Sequence, residues 1–504
     1  MVQRAIALIS TDDAPMAELT ARFVRARAEL EVAEEFPPEV QAAAERAVAD
    51  PDLPSTDLTS LGFITIDPPG STDLDQAMFL RRDGSGYLVD YAIADVSAFA
   101  PIGGPVSDQA IARGQTMYAP DRRVPLHPAV ISEGAGSLLP GQLRPAFVWR
   151  FALDPVGAVT QVDLVRAMVR SRHRLDYQQV QAAADAGRTD SDPADSGPAD
   201  SGPAGQAVLL AEIGRLRIDL ERARGGASLP MPEQEVSYDG VRYQLQFRPA
   251  VPAEDWNAQI SLMTGMAAAQ LMLKSGVGLL RTMPAPDDQA VQRFRRQAKA
   301  LGVVWSAEVP YGELLRGLDR SVPGQLALLH EAAGLFRGAG YTAFHGEPPE
   351  SPGHAAIAAP YAHVTAPLRR LVDRFGLLVC HAAATGAELD PRVQAALPAL
   401  VAPMAQSDRQ AKALERRCVD LVEAAVLAGR VGEEFDVVTI DAIRDRTQVQ
   451  LVEPAVVAPC DGRLPLGEQI RVRLDSADPE TAAVRFSSVS GPAGRPAGRP
   501  ATAR

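Results

Sequence analysis

The hydrophobic pattern changes period along the chain, and each change marks a different kind of structure. Over 17–32 and 38–49 apolar residues recur every three or four positions, the spacing of helices with one buried face. Thr11-Asp12-Asp13 can cap the first helix, and Pro37-Pro38 opens the second. The period then drops to two. Residues 63–66 form a short apolar strand that runs into Pro68-Pro69-Gly70, and 86–96 alternates after the turn signal Asp83-Gly84. A helix over 107–113, a proline-interrupted connection over 117–125 and a hairpin over 147–153 and 158–169 follow. Helices are expected at 208–224, 256–273, 287–301, 323–335, 368–384 and 407–429, with a hairpin at 236–247. The last change of period gives short strands at 435–440, 449–452, 469–474 and 482–486, a spacing that fits a five-stranded OB barrel.

Composition adds boundaries to this picture. A chain of 504 residues exceeds what one core supports and should hold about three domains. Residues 183–206 are rich in Asp, Ser, Gly and Pro and cannot bury a core, so they read as a flexible surface insertion. No apolar run of about 18 residues and no secretory leader is present, and the expectation is a soluble, cytoplasmic protein without membrane attachment. Cys380, Cys418 and Cys460 are too far apart for zinc spacing and read as reduced core thiols.

A net charge of −13 does not exclude nucleic acid, because binding follows local potential. Arginines cluster at 166–174, read as a solvated face, and at Arg369-Arg370 with Arg374. The densest negative charge lies just after the strand 63–66, where Asp67, Asp73 and Asp75 fall within one turn. Carboxylates forced together repel unless a cation neutralises them, and a hard divalent cation with oxygen ligands suits the set. The competing reading is an ordinary solvated acidic loop.

Several stretches together resemble the catalytic domain of the RNase II/RNase R family of exoribonucleases. They are Ile64-Thr65-Ile66-Asp67 with Asp73-Leu74-Asp75-Gln76-Ala77, then Ile93-Ala94-Asp95-Val96-Ser97 and Ser137-Leu138-Leu139-Pro140. Ser171 with Arg174-Leu175-Asp176-Tyr177 comes next, and then the block from Tyr361-Ala362-His363 through Arg369-Arg370. These matches keep their order, and the barrel behind them resembles the family's RNA-binding OB barrel. The resemblance and the periodicity together give an α+β multidomain protein: a helical N-terminal module over 1–60, compatible with a helix-turn-helix, where the family commonly carries cold-shock barrels, and a mixed α/β RNB-type catalytic domain over 61–428. A five-stranded OB barrel over 429–490 and a disordered basic tail over 491–504 complete it.

The resemblance also implies processive hydrolysis of single-stranded RNA from the 3′ end to nucleoside 5′-monophosphates, by a monomer using Mg2+, with Mn2+ able to substitute. Asp67 and Asp73 are then the expected direct metal ligands, and Asp75 the carboxylate that most affects turnover. Gln76 offers an amide oxygen where the family usually has a fourth acid, so weaker metal binding is expected there. Arg369, at an expected helix N-terminus, would stabilise charge at the scissile phosphate, with an ion pair to Asp373 as the competing reading. Arg370 would contact RNA beside it, and Tyr118 would stack on a base. His363 reads as a hydrogen-bonded structural residue. A second departure is Ala258-Gln259 and Gly265 where the family usually carries Glu-Glu and Asn. Two other readings stay open: an RNA-binding protein of this fold with weakened catalysis, and an exonuclease acting on DNA.

Overall fold

The computed structural model describes residues 4–6, 14–187, 202–229, 231, 233–238, 243–248 and 250–489. The basic tail, the centre of the Asp/Ser/Gly/Pro stretch and the Thr11-Asp12-Asp13 cap lie outside them. At the edges of that stretch the described chain is helical, in Tyr177–Ala186 and Pro203–Arg224, so the insertion is narrower than its composition suggests.

The centre of the molecule is a six-stranded sheet, in the order Thr56–Asp57, Val159–Leu175, Phe63–Ile66, Gln76–Asp83, Gly86–Ala94 and Leu143–Leu153. Val159–Leu175 is long enough to pair twice. Its first part runs antiparallel to Leu143–Leu153 and its last residues run parallel to Phe63–Ile66, which ties the two ends of the row together. All four residues of Phe63–Ile66 are buried, as expected of a strand covered on both faces. One face packs on helices Pro252–Ser275 and Leu371–Thr385 through Trp149, Phe147, Ile260 and Phe375. The other is covered by the helix Pro38–Ala49, through Val40 and Ala44 against Phe63 and Ala77.

The expected N-terminal helices both form, as Ala14–Glu29 and Pro38–Ala49, but they share no core of their own. Leu19 and Phe23 of the first pack with Leu414, Cys418 and Phe435, between the long helix Pro391–Leu427 and the C-terminal barrel. That long helix begins at Pro391 and not at 407 as expected, and it runs through Pro398 and Pro403. Burial of Val393, Leu397, Leu400 and Met404 on one stripe outweighs two missing backbone hydrogen bonds.

The barrel closes in the order Glu434–Ile443, Arg446–Gln450, Val457–Asp461, Ala483–Ser488 and Gln469–Asp478. Val457–Asp461 is the strand that periodicity missed, since Pro459 interrupts it. The three cysteines are buried free thiols. Among the described residues, no helix is long and apolar enough to cross a membrane.

Candidate active site

The acidic loop between Phe63–Ile66 and Gln76–Asp83 is held from below by one serine. Ser137 Oγ donates to the Thr72 carbonyl at 2.8 Å and accepts from the Leu74 amide at 2.9 Å, while the Leu138 amide donates to the Leu74 carbonyl. The Ser-Leu turn of the sequence is therefore a clamp on the loop. From the other side comes the turn before the helix Leu371–Thr385. Its Leu368 amide donates to Asp75 Oδ1 at 2.8 Å, and Gln76 Nε2 donates to the Thr365 carbonyl at 2.5 Å.

These contacts bring Asp67, Asp73, Asp75 and Arg369 into one site. Burial pushes the Asp75 carboxyl up to about 8, against the pull of Arg369 and the Leu368 amide. Burial likewise raises Asp67 to about 6; Arg369 opposes the rise and Asp73 adds to it. Asp73 is raised by burial against the pull of Arg123. Asp67 Oδ2 is buried without a hydrogen-bond partner. A buried oxygen left unmatched and carboxylates that ionise reluctantly are what a hard divalent cation would correct, so the donor chemistry fits Mg2+. As the side chains stand, no three His, Cys, Asp or Glu groups converge on a metal position among the described residues. Two of the carboxylates face arginines instead.

Arg369 lies in the turn one residue ahead of the helix cap, not at the N-terminus itself, because Arg370 is extended (φ −140°, ψ 120°) and the helix begins only at Leu371. Its side chain is 52% exposed, with Nε 3.4 Å from Asp75 Oδ2. The ion pair to Asp373 weighed for Arg369 belongs to its neighbour. Arg370 grips the fully buried Asp373 with Nε at 2.5 Å and Nη2 at 2.7 Å, and the Ala366 amide completes that carboxylate. The Arg370 fork is thus engaged by Asp373, and its side chain stays 23% exposed.

Tyr118 stands 38% exposed on the small hairpin Met117–Tyr118 and Arg123–Val124, with Asp73, Asp75 and Arg369 as electrostatic neighbours. His363 Nδ1 and the Tyr341 hydroxyl share a 2.8 Å hydrogen bond, and burial, then Arg370 and Arg281, keep the imidazole neutral. It has the structural part expected of it. At the second departure, Gly265 admits the Tyr361 ring: a Cβ there would lie 2.1 Å from Tyr361 Cε2. Gln259 donates to Glu221 Oε2 at 2.5 Å, and Asn257 reaches the Tyr177 hydroxyl at 3.4 Å.

Two residues near the carboxylates were not singled out from sequence. Arg123 pairs with Asp73, and Tyr177 lies close enough to Asp67 for that charge to raise its hydroxyl, after burial, to about 12. Arg123 shares its hairpin with Tyr118 across Ala119-Pro120-Asp121-Arg122, a turn cue that points to it, although nothing local names Asp73 as partner. The cluster read as a solvated face is also partly engaged, since Arg166 pairs with the buried Asp95.

Comparison with known proteins agrees with this arrangement. The RNB domain matches residues 55–384, more than half of the chain, and the RNase II-type exonuclease C-terminal S1 domain matches residues 433–489. Ribonuclease R of Chlamydia trachomatis is 25% identical over 361 residues, covering 69% of this chain and 49% of that protein. Ribonuclease R of Aquifex aeolicus is 25% identical over 466 residues, covering 86% and 64%. The chain spans about half the length of the first two curated relatives it matches. Mycoplasma genitalium RNase R in complex with ribose methylated single-stranded RNA has the same fold, with a TM-score of 0.81, 17% identity and coverage of 95% and 79%. Yeast Ssd1, a pseudonuclease, is similar at a TM-score of 0.68, 14% identity and coverage of 90% and 57%. Acidic loop, serine clamp, arginine turn and C-terminal barrel therefore have one explanation: the chain belongs to the RNase II/RNase R family, with an RNB domain and an RNase II-type S1 domain.

Proposed function

We propose that this protein is a Mg2+-dependent 3′-to-5′ exoribonuclease that degrades single-stranded RNA processively to nucleoside 5′-monophosphates, acting as a cytoplasmic monomer. The observation that carries the reading is the half-exposed Arg369 poised 3.4 Å from the buried Asp75. A cation that is open to solvent beside a carboxylate that resists ionisation can meet an incoming phosphate, and its guanidinium stabilises charge that develops on the phosphoryl oxygens. Asp67, Asp73 and Asp75 would hold Mg2+, which when bound supplies charge neutralisation and an acidified water. Tyr118 offers a ring to a base near the 3′ end, and stacking tolerates every base. Its neighbourhood to Arg369 and Asp75 supports that role.

A time course on end-labelled single-stranded RNA with Mg2+, Mn2+ or EDTA tests polarity, product and metal dependence together. Mononucleotides released from the 3′ end only with metal are expected, and Asp75→Asn should retain RNA binding while losing hydrolysis. Full activity of that variant would end the reading. The alternative, an RNA-binding protein with weakened catalysis, draws on Gln76, which brings no charge and whose amide is engaged by Thr365. Release of mononucleotides by the purified chain would rule it out. Digestion of matched RNA and DNA strands separates the ribonuclease from a DNA exonuclease, because the discrimination has to pass through the 2′-hydroxyl.

A further inference from the structure

The carboxylate expected to bind metal beside Asp67 is already occupied by a cation of the protein's own. Arg123 Nη1 pairs with Asp73, and both side chains are 11% exposed. Its other nitrogen reaches Thr72 Oγ1 at 2.6 Å and Glu133 Oε1 at 2.7 Å. Thr72 Oγ1 in turn donates to Glu133 Oε2 at 3.1 Å. Glu133 is 35% exposed and lies outside the acidic loop. Arg123 is therefore held between two anions, one of which belongs to the candidate metal set.

The backbone that carries Arg123 is fixed. Asp121, two residues earlier, accepts both terminal nitrogens of the buried Arg27 at 2.6 and 2.9 Å, and Arg122 pairs with Glu34 at 2.8 Å. Arg113 binds the Pro125 carbonyl just after the hairpin and the Glu35 carbonyl next to Glu34. Any adjustment at Asp73 thus falls to the Arg123 side chain, whose second counterion is in place.

We propose that Arg123 is a resident counter-cation of the metal site. It neutralises Asp73 when no metal is bound and passes wholly to Glu133 and Thr72 when a divalent cation takes Asp73. Metal binding is then an exchange of one cation for another. This accounts for a set of carboxylates that has hard-cation chemistry and yet does not converge on one position. With Gln76 uncharged, three carboxylates face Arg123 and Arg369, and the exchange sets the metal affinity. The inference rests on the metal-dependent reading of the site.

The test is Mn2+ binding to the full chain without RNA, followed by the electron paramagnetic resonance of free Mn2+. Arg123→Gln should bind Mn2+ about tenfold more tightly than the natural chain, because a unit positive charge beside a ligand is removed. Arg123→Lys keeps the charge and should stay within about twofold. Glu133→Gln removes the alternative partner and should bind several-fold more weakly; it also serves if Arg123→Gln does not fold. Unchanged or weaker binding in Arg123→Gln, or unchanged binding in Glu133→Gln, overturns the exchange while leaving metal dependence standing. If the natural chain and Arg123→Gln both fail to bind Mn2+, the metal-dependent reading fails and the exchange goes with it.

Discussion

Arg369 and Arg370 are adjacent in sequence, and each faces a buried aspartate, yet the two pairs are built to opposite ends. Arg370 and Asp373 form a closed fork, completed by the Ala366 amide. Arg369 touches Asp75 through one 3.4 Å contact, keeps half of its surface in solvent and leaves its partner a reluctant acid. A saturated pair gives rigidity. The unsaturated pair retains capacity to bind, and it can do so because the saturated one beside it fixes the turn.

Breaking each pair should separate these roles. Arg370→Met leaves Asp373 buried without its counterion and should cost about 3–5 kcal/mol in urea denaturation. Arg369→Met should cost less, about 1 kcal/mol, in the same assay, since the half-exposed Arg369 makes a single 3.4 Å contact and the buried Asp75 can hold a proton instead, while RNA hydrolysis falls about a hundredfold or more. Equal destabilisation by both would erase the distinction.

The pH dependence should carry the same contrast. The folded-state values of Asp67 and Asp75 lie above those of the free carboxylates, so between about pH 4 and 8 the folded chain holds protons that the unfolded chain has released. Their contribution to stability is present at the acid end and is lost as pH rises through 6 and 8. In EDTA the natural chain should therefore lose stability relative to Asp75→Asn across that window, on the order of a few kcal/mol. Saturating Mn2+ should shrink the difference. Equal slopes for the two proteins in EDTA would contradict the cause assigned to the shift.

Smaller effects probe the edges of the site. Tyr118→Ala should weaken single-stranded RNA binding by about 1–3 kcal/mol with stability unchanged, and Tyr118→Phe should restore it, because the ring and not the hydroxyl stacks. Gln76→Glu sets a carboxylate against the Thr365 carbonyl and should cost about 1 kcal/mol of stability in EDTA. An unchanged denaturation midpoint would mean that the Gln76 amide contributes nothing to holding the turn.

The strand before the acidic loop, the helices and most of the barrel are legible in the sequence because periodicity is a local signal. Pro38–Ala49 begins and ends where its apolar spacing does. What is not legible depends on partners far away in the chain. Arg123 meets Asp73 across fifty residues, and Gln76 meets the Thr365 carbonyl across 289. That Asp373 pairs with Arg370 and not with Arg369 follows from where the helix starts: an extended Arg370 caps it, and Asp373 is its third residue. Burial energetics, not propensity, let the long helix run through Pro398 and Pro403.

Gly265 couples the buried helix Pro252–Ser275 to Tyr361. The Tyr361 ring occupies the volume that any side chain at this position would need, and the Ala362 amide binds the Gly265 carbonyl at 3.0 Å. An asparagine introduced there as a single change would have to expel the ring, so it carries a steric penalty before it adds a polar group. Substitutions at Gly265 and Tyr361 should therefore be non-additive, since a smaller residue at 361 opens the space that a side chain at 265 needs.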